Sequence, residues 1–436
     1  MSAPLAVTTG AATPAVVALP TTSGRSAQAL SVGRLAQWFQ EGALYLLLIL
    51  LPISPAAVEI SFGLLLIGWI VERCDPATRG QTVWLRVGMR PVLLAILAYL
   101  GACAFSVFIS DTPMLSVRAL IFKWGEYLVL CLLAVDLGSR PEIVRRGLGA
   151  LRWSTVLVVL EVATQVLFGR GLLRGHHIGA VWNFSRITGP YENPIDLGTY
   201  LMVAILLLLA DGLAHQGRRR WGRLGWLLVL TGMLIVTEAF GALIALWLGF
   251  VVIMVVTPRV RRYGVVALVV SMVLGVAVFH RTGHLRQVMS ISEIGKVDRV
   301  MMWQAALGMI RDRPLLGHGL GTFMSNYLAY WVGGERAPRY AHNCYLQVAA
   351  ETGIVGLAAF LWVLWAIGMA IMGGIRRAAA DDRVRLAGFL AALAAFAAQA
   401  GIDTNFYSLR QAALFWLLAG LAVGFSVRVL ARDEAP

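Results

Sequence analysis

Charge is scarce in this chain: Asp, Glu, Lys and Arg together make up 14% of its 436 residues, against about a quarter in an ordinary soluble domain. That shortage excludes a solvated globular surface over most of the chain. Cysteine is scarcer still, with Cys74, Cys103, Cys131 and Cys344 far apart and two of them inside apolar runs. Neither a disulfide framework nor a cysteine metal cluster is expected. Long polar stretches are missing too, apart from the first 30 or so residues and one segment, 281–342.

Apolar sequence fills the gap. Hydrophobic residues make up 59% of the chain and mean hydropathy is +0.75, so an all-α polytopic membrane protein is expected. A span needs roughly 20 mostly apolar residues. Twelve stretches are candidates: 36–53, 56–72, 91–109, 115–137, 151–168, 194–211, 224–237, 241–256, 264–280, 343–372, 384–401 and 411–430. The net charge of +14 would suggest nucleic acid in a soluble domain. Here the arginines fall in clusters, at 73–90, 140–152, 218–223, 259–262 and 376–385, each after an even-numbered stretch. That pattern places those loops and both termini in the cytoplasm and implies no nucleic-acid partner. Residues 1–35, rich in Ala, Thr, Ser and Pro, read as a disordered cytoplasmic tail and 36–436 as one transmembrane domain.

On the opposite, outer face the pattern leaves short turns near Pro55, Pro113 and Glu238, and three loops, 169–193, 281–342 and 402–410. In the longest, Ser290 and Glu293 form a capping-box start for a helix carrying Met301, Met302, Leu307 and Ile310, which Pro314 ends. A second short helix is expected from Phe323 to Trp331. Both are rich in Met, Trp and Tyr and would roof the bundle at the membrane interface, among the lipids. Gly353 with Gly356 is expected to bend the long segment 343–372.

The polar residues of these loops suggest anion chemistry. Arg186 precedes the helix expected to start at Pro194 and be capped by Asn193. A guanidinium binds phosphate oxygens bidentately and stays charged, so Arg186 reads as a phosphate clamp or, more plainly, as an interfacial anchor beside a turn. Arg299 and Arg118 are further phosphate ligands by the same reasoning. His342 sits where the long loop enters an apolar helix and is the best-placed group to take a proton near neutrality. Lys123 and Glu126 form either a self-contained pair or part of a donor pocket. Asn343, Gln347 and Glu351 share a helix face, either to hold an acceptor or to pack against the loop. The outer loops contain no Asp-x-Asp pair and no zinc-type histidine spacing, so neither a metal nor any other cofactor is expected.

Three motifs carry a resemblance. Arg186-x-x-Gly189-x-x-x-Asn193-Pro194, with Tyr191 between as a supporting residue of the site, then Arg299-x-x-x-Trp303 with Pro314-Leu315-Leu316-Gly317-His318-Gly319, then His342-Asn343-x-x-Leu346-Gln347-x-x-x-Glu351-Thr352-Gly353, resemble the signature of the O-antigen ligase and polymerase superfamily. The resemblance implies a GT-C-like membrane glycosyltransferase that passes a glycan from undecaprenyl pyrophosphate to an acceptor, for a ligase lipid A–core, by an inverting displacement without ATP or metal. Two positions depart from the family: Ala239-Phe240-Gly241-Ala242 stands where members often have Ser-Arg-Gly-Ala, and Ile195 replaces a second Asn. Relatives include O-antigen polymerases and protein O-oligosaccharyltransferases. Polymerases resemble one another in an outer-loop Arg followed eleven positions on by Gly, and none of the outer-loop arginines here has that spacing: Arg186 reaches Leu197. A transporter is the reading from another class, but no internal repeat supports it and the polar residues concentrate at one face.

Overall fold

The computed structural model describes residues 31–433 except 77, 79–82, 85, 178–185, 216–217, 259–260, 282–298 and 332–339. The expected tail, the Ser290–Glu293 capping box and the Trp182–Ser185 part of the Arg186 loop lie outside the described residues. The described residues are helical, with one isolated antiparallel bridge, Arg170 to His177, in place of any strand. The helices are α1 (Val32–Leu50), α2 (Pro55–Cys74), α3 (Arg90–Phe108), α4 (Pro113–Ala119), a π turn (Leu120–Gly125), α5 (Glu126–Gly138), α6 (Pro141–Phe168), α7 (Pro194–Ala214), α8 (Arg218–Val236), α9 (Phe240–Val256), α10 (Arg261–Arg281), α11 (299–312), α12 (Phe323–Asn326), α13 (Cys344–Arg377), α14 (Ala380–Gln399) and α15 (Leu409–Asp433).

Each of the twelve apolar stretches falls on helix. By length and composition, six helices can cross a membrane: α2, α3, α6, α7, α13 and α15. The helices run past the expected boundaries at their polar ends. α6 starts ten residues before 151 because its first turns are polar and arginine-bearing, and Arg146 there pairs with Glu41 of α1 at 3.5 Å.

α7 is buried on all sides from Leu197 to Ala214, as expected of a helix with no polar face at the centre of a bundle. α15 lies against α5, where Gly138, Gly420 and Gly424 let the two backbones meet. A Cβ at any of the three would strike a backbone carbonyl of the facing helix. Ile60, Ile67, Leu94, Leu97 and Phe105 form an exposed apolar rim on α2 and α3, the surface a bilayer would cover.

The segments 186–193, 237–239, 313–331, 340–343 and 400–408 gather at one end of the bundle. Buried Arg410 ties that end together, donating to the carbonyls of Pro52 (2.8 Å) and Pro190 (3.0 Å). Over it sits a cap with a small core of its own, in which Met302, Ala305 and Met309 of α11 pack on Phe323, Tyr327, Ala341 and Ala350. α11 ends at residue 312, just before Pro314, and the Phe323–Tyr330 stretch is a turn of α-helix followed by a turn of 3₁₀ helix.

α13 bends as expected, at Gly353, whose φ of 68° and ψ of −174° are open only to glycine. The break frees backbone groups that the Pro314–Gly321 turn then satisfies. His318 and Gly319 donate N–H groups to the Ala350 and Glu351 carbonyls at 3.0 and 2.9 Å, and Ile354 N–H donates to Pro314 O at 2.8 Å. The second and third motifs are therefore partners in one brace. A Cβ at Gly353 would run into the Leu315 backbone, so Gly353→Ala is expected to cost about 3 kcal/mol or more. A lowered unfolding temperature in detergent checks this, and an unchanged one contradicts it.

Candidate functional site

The cavity at the loop end has a volume of about 170 Å³ and is lined by Arg186, Glu238, Arg299, Gln399 and Asp403 together with Phe240 and Ile402. Two of the three expected phosphate ligands, 113 residues apart in sequence (299 − 186), therefore meet in one place.

The Arg186 loop is held from below by Gln165 of α6. Its side-chain oxygen accepts the Thr188 and Gly189 N–H groups at 3.1 and 3.0 Å, and its amide nitrogen donates to Thr188 Oγ1 at 3.1 Å. Asn193 then caps α7 as expected, accepting from Ile195 N–H at 2.9 Å. Arg186 donates Nε and Nη2 to the Thr237 carbonyl, at 2.9 and 2.6 Å, and lies 3.6 Å from Glu238. Burial lowers the guanidinium's pKa and Glu238 opposes that shift. Glu238 has φ of 55°, an uncommon conformation for a residue with a side chain. Phe240, where relatives of the resembled family carry arginine, lines the same cavity.

His342 also has positive φ, 50°. The cause lies in its neighbours, which are pinned on both sides. Ala341 N–H donates to Gln347 Oε1 at 3.3 Å, Cys344 N–H donates to the Ala400 carbonyl at 2.8 Å, and Asn343 caps α13 through the Tyr345 and Leu346 N–H groups, both at 3.0 Å. The imidazole is 30% exposed, and Nδ1 lies 3.6 Å from Asp403 Oδ1 without a hydrogen bond. Asp403 thus faces the cavity on one side and His342 on the other. Strained, underbonded groups of this kind concentrate at reactive sites. Gln399 donates to Thr199 Oγ1 at 2.8 Å, while its buried side-chain oxygen has no partner and can accept from a hydroxyl.

The remaining expected residues go elsewhere. Arg118 is exposed on α4 and does not line the cavity. Tyr191 is fully buried beneath Arg410, whose guanidinium lies 4.2 Å from its ring centroid. Lys123, in the π turn, does not pair with Glu126 among the described residues; it points at the rings of Tyr407 and Tyr340, 4.6 and 5.8 Å away. The three-residue spacing brings the two together only in a regular helix, and the π turn changes that register. Gln347 and Glu351 take the packing role: Glu351 accepts from Gln347 Nε2, Gly321 N–H and Tyr407 Oη at 3.2, 2.9 and 3.0 Å. His318 is buried, its Nε2 3.1 Å from the Met309 carbonyl, and burial pushes its pKa down, so as a neutral ring it can donate there.

Sequence alone did not single out Asp403, Glu238 or Gln399. Asp403 lies in a loop recognisable as outer, but nothing in its spacing ties it to His342, 61 positions earlier (403 − 342).

Residues 224–361 match the family model described as O-antigen ligase. That span contains Arg299, the Pro314–Gly319 turn and the whole His342–Gly353 motif. The chain is also 26% identical over 330 residues to the exopolysaccharide production protein ExoQ of Rhizobium meliloti (strain 1021), covering 68% of this chain and 70% of that one. The motifs, the matched domain and this relative agree: what the chain is similar to is the O-antigen ligase type of protein, and together they support a membrane glycan-processing enzyme.

Proposed function

We propose that the protein is an O-antigen ligase of lipopolysaccharide biosynthesis. It transfers a glycan from undecaprenyl pyrophosphate to a hydroxyl of lipid A–core at the periplasmic face of the inner membrane, with both termini in the cytoplasm. The observation that carries this reading is the convergence of Arg186 and Arg299 on a cavity whose Asp403 also faces His342 at 3.6 Å.

In this scheme the acceptor oxygen attacks the anomeric carbon while the bond from that carbon to the pyrophosphate oxygen breaks. The electron pair leaves on the pyrophosphate, where the two guanidiniums stabilise it in a partly dewatered site. The hydroxyl proton passes to His342, and Asp403 stabilises the imidazolium that results. One displacement inverts the anomeric centre. The Arg186–Glu238 pair, at 3.6 Å, is longer than a charge-assisted hydrogen bond of about 2.7–2.9 Å, and the incoming phosphate takes the place of Glu238. Both charges needed by the leaving group come from arginine, so no divalent ion is required.

The similarity to an exopolysaccharide production protein favours a second reading, in which the acceptor is another glycan and the product a longer polymer. Purified protein incubated with lipid-linked glycan and lipid A–core, without ATP, separates the two. Core-joined glycan is expected, in equal amount with and without EDTA. A ladder of longer lipid-linked glycans with no core-joined product makes the enzyme a polymerase. Loss on chelation, restored by Mg²⁺, removes the arginine-only account.

A further inference from the structure

A second cavity, of about 220 Å³, opens at the other end of the bundle between α8 and α10, with α7 and α9 as its floor. Its walls are apolar: Trp221 and Leu228 on one side, Val266 and Val270 on the other, Leu209 and Phe250 beneath. Trp221, Leu228 and Val266 are 68, 61 and 59% exposed. Along α10 the lining runs from Tyr263 to Ser271, about 12 Å at 1.5 Å per residue. That is close to the depth of one leaflet's hydrocarbon, about half of 30 Å.

The rim is cationic. The Arg220 and Arg262 guanidiniums lie 4.4 and 4.8 Å from the Tyr263 ring centroid, and Arg262 Nη2 donates to the Tyr263 hydroxyl at 3.0 Å. Buried Arg220 Nε has no hydrogen-bond partner. Among the described residues no carboxylate pairs with either guanidinium. Two like charges on one ring repel unless an anion lies between or beside them. An apolar slot of one-leaflet depth with two unneutralised guanidiniums at its mouth matches a molecule with a hydrocarbon tail and a phosphodiester head.

We propose that this groove binds an anionic glycerophospholipid, its acyl chain along α8 and α10 and its phosphate held by Arg220 and Arg262. A zwitterionic headgroup brings an ammonium to the same two guanidiniums and is disfavoured. The lipid would staple α8 to α10, and α8 leads directly into Thr237 and Glu238 at the other end of the bundle.

The test uses the full chain, purified and delipidated in detergent, with added phosphatidylglycerol, phosphatidylcholine or inorganic phosphate. Phosphatidylglycerol is expected to raise the unfolding temperature and to bind about tenfold or more tighter than phosphatidylcholine, as one or two charge-assisted contacts imply. The R220Q/R262Q variant should lose that preference. Ala267→Leu, which intrudes on the groove but keeps both arginines, should weaken phosphatidylglycerol binding and keeps the test open if the arginine variant fails to insert. Equal binding of the two lipids, or indifference to both variants, overturns the proposal. So does protection by inorganic phosphate equal to that by phosphatidylglycerol, which would mark an adventitious anion site only.

Discussion

His342→Gln is expected to lower glycan transfer by about 10²–10⁴-fold, the range for removing a general base, while leaving binding of the lipid-linked donor unchanged. Glutamine keeps a hydrogen-bonding group of similar reach but cannot take the hydroxyl proton. His342 is not among the residues lining the arginine cavity; it meets that cavity through Asp403, so its loss should spare the pyrophosphate contacts. Asp403→Asn is expected to give a smaller loss of rate, because the imidazole remains but the charge that stabilises its protonated form does not. Transfer and donor binding must be measured separately, on inserted protein at equal levels. If His342→Gln retains near-normal transfer, proton removal passes to a carboxylate of the cavity, Glu238 or Asp403. Glu351 is no substitute, since three donors already occupy it. If donor binding falls as far as transfer does, His342 belongs to the pyrophosphate site.

Arg299→Ala and Arg186→Ala are each expected to cost about 10²–10³ in transfer rate, the cost of one stabilising donor at a developing anion, and to weaken donor binding. The lysine variants should separate the two. Arg299 enters the cavity as a charge at the start of α11, so Arg299→Lys should recover part of the activity. Arg186 holds the Thr237 carbonyl with two N–H groups in a fork that lysine cannot reproduce, so Arg186→Lys should recover little. Equal rescue at both positions would show that Arg186 acts as a point charge and that its grip on Thr237 is incidental.

Much of the fold was legible because it depends on local sequence. Apolar runs located the helices, Asn193 and Asn343 announced two N-caps, Pro314 ended α11 and Gly353 bent α13. The site was legible in part. Arg186, Arg299 and His342 stood out as charged or titratable groups in loops of an otherwise apolar chain. Arg118, a charge inside the 115–137 stretch, and Tyr191, a residue of the Arg186 loop, were expected beside them, yet one is exposed and the other lies under Arg410. Asp403 and Glu238 were missed because their importance is tertiary: each is a single carboxylate in a short turn, significant only for what folds against it. The Gln347 and Glu351 spacing correctly gave one helix face. That face meets the Ala341 backbone, the Gly321 turn and Tyr407, contacts that spacing does not specify.

The small core of the cap is not free of the bundle: Ala350 of α13 belongs to it, and the turn that follows α11 is bonded to the same helix at Ala350, Glu351 and Ile354. His342, just ahead of that helix, is seated on the bundle through the Cys344 N–H bond to the Ala400 carbonyl at 2.8 Å. Arg299, the cavity arginine that the cap carries, is thus referenced to the same helix as His342. The break at Gly353 becomes a common footing for both halves of the chemistry, although it touches neither the phosphate side of the cavity nor the imidazole.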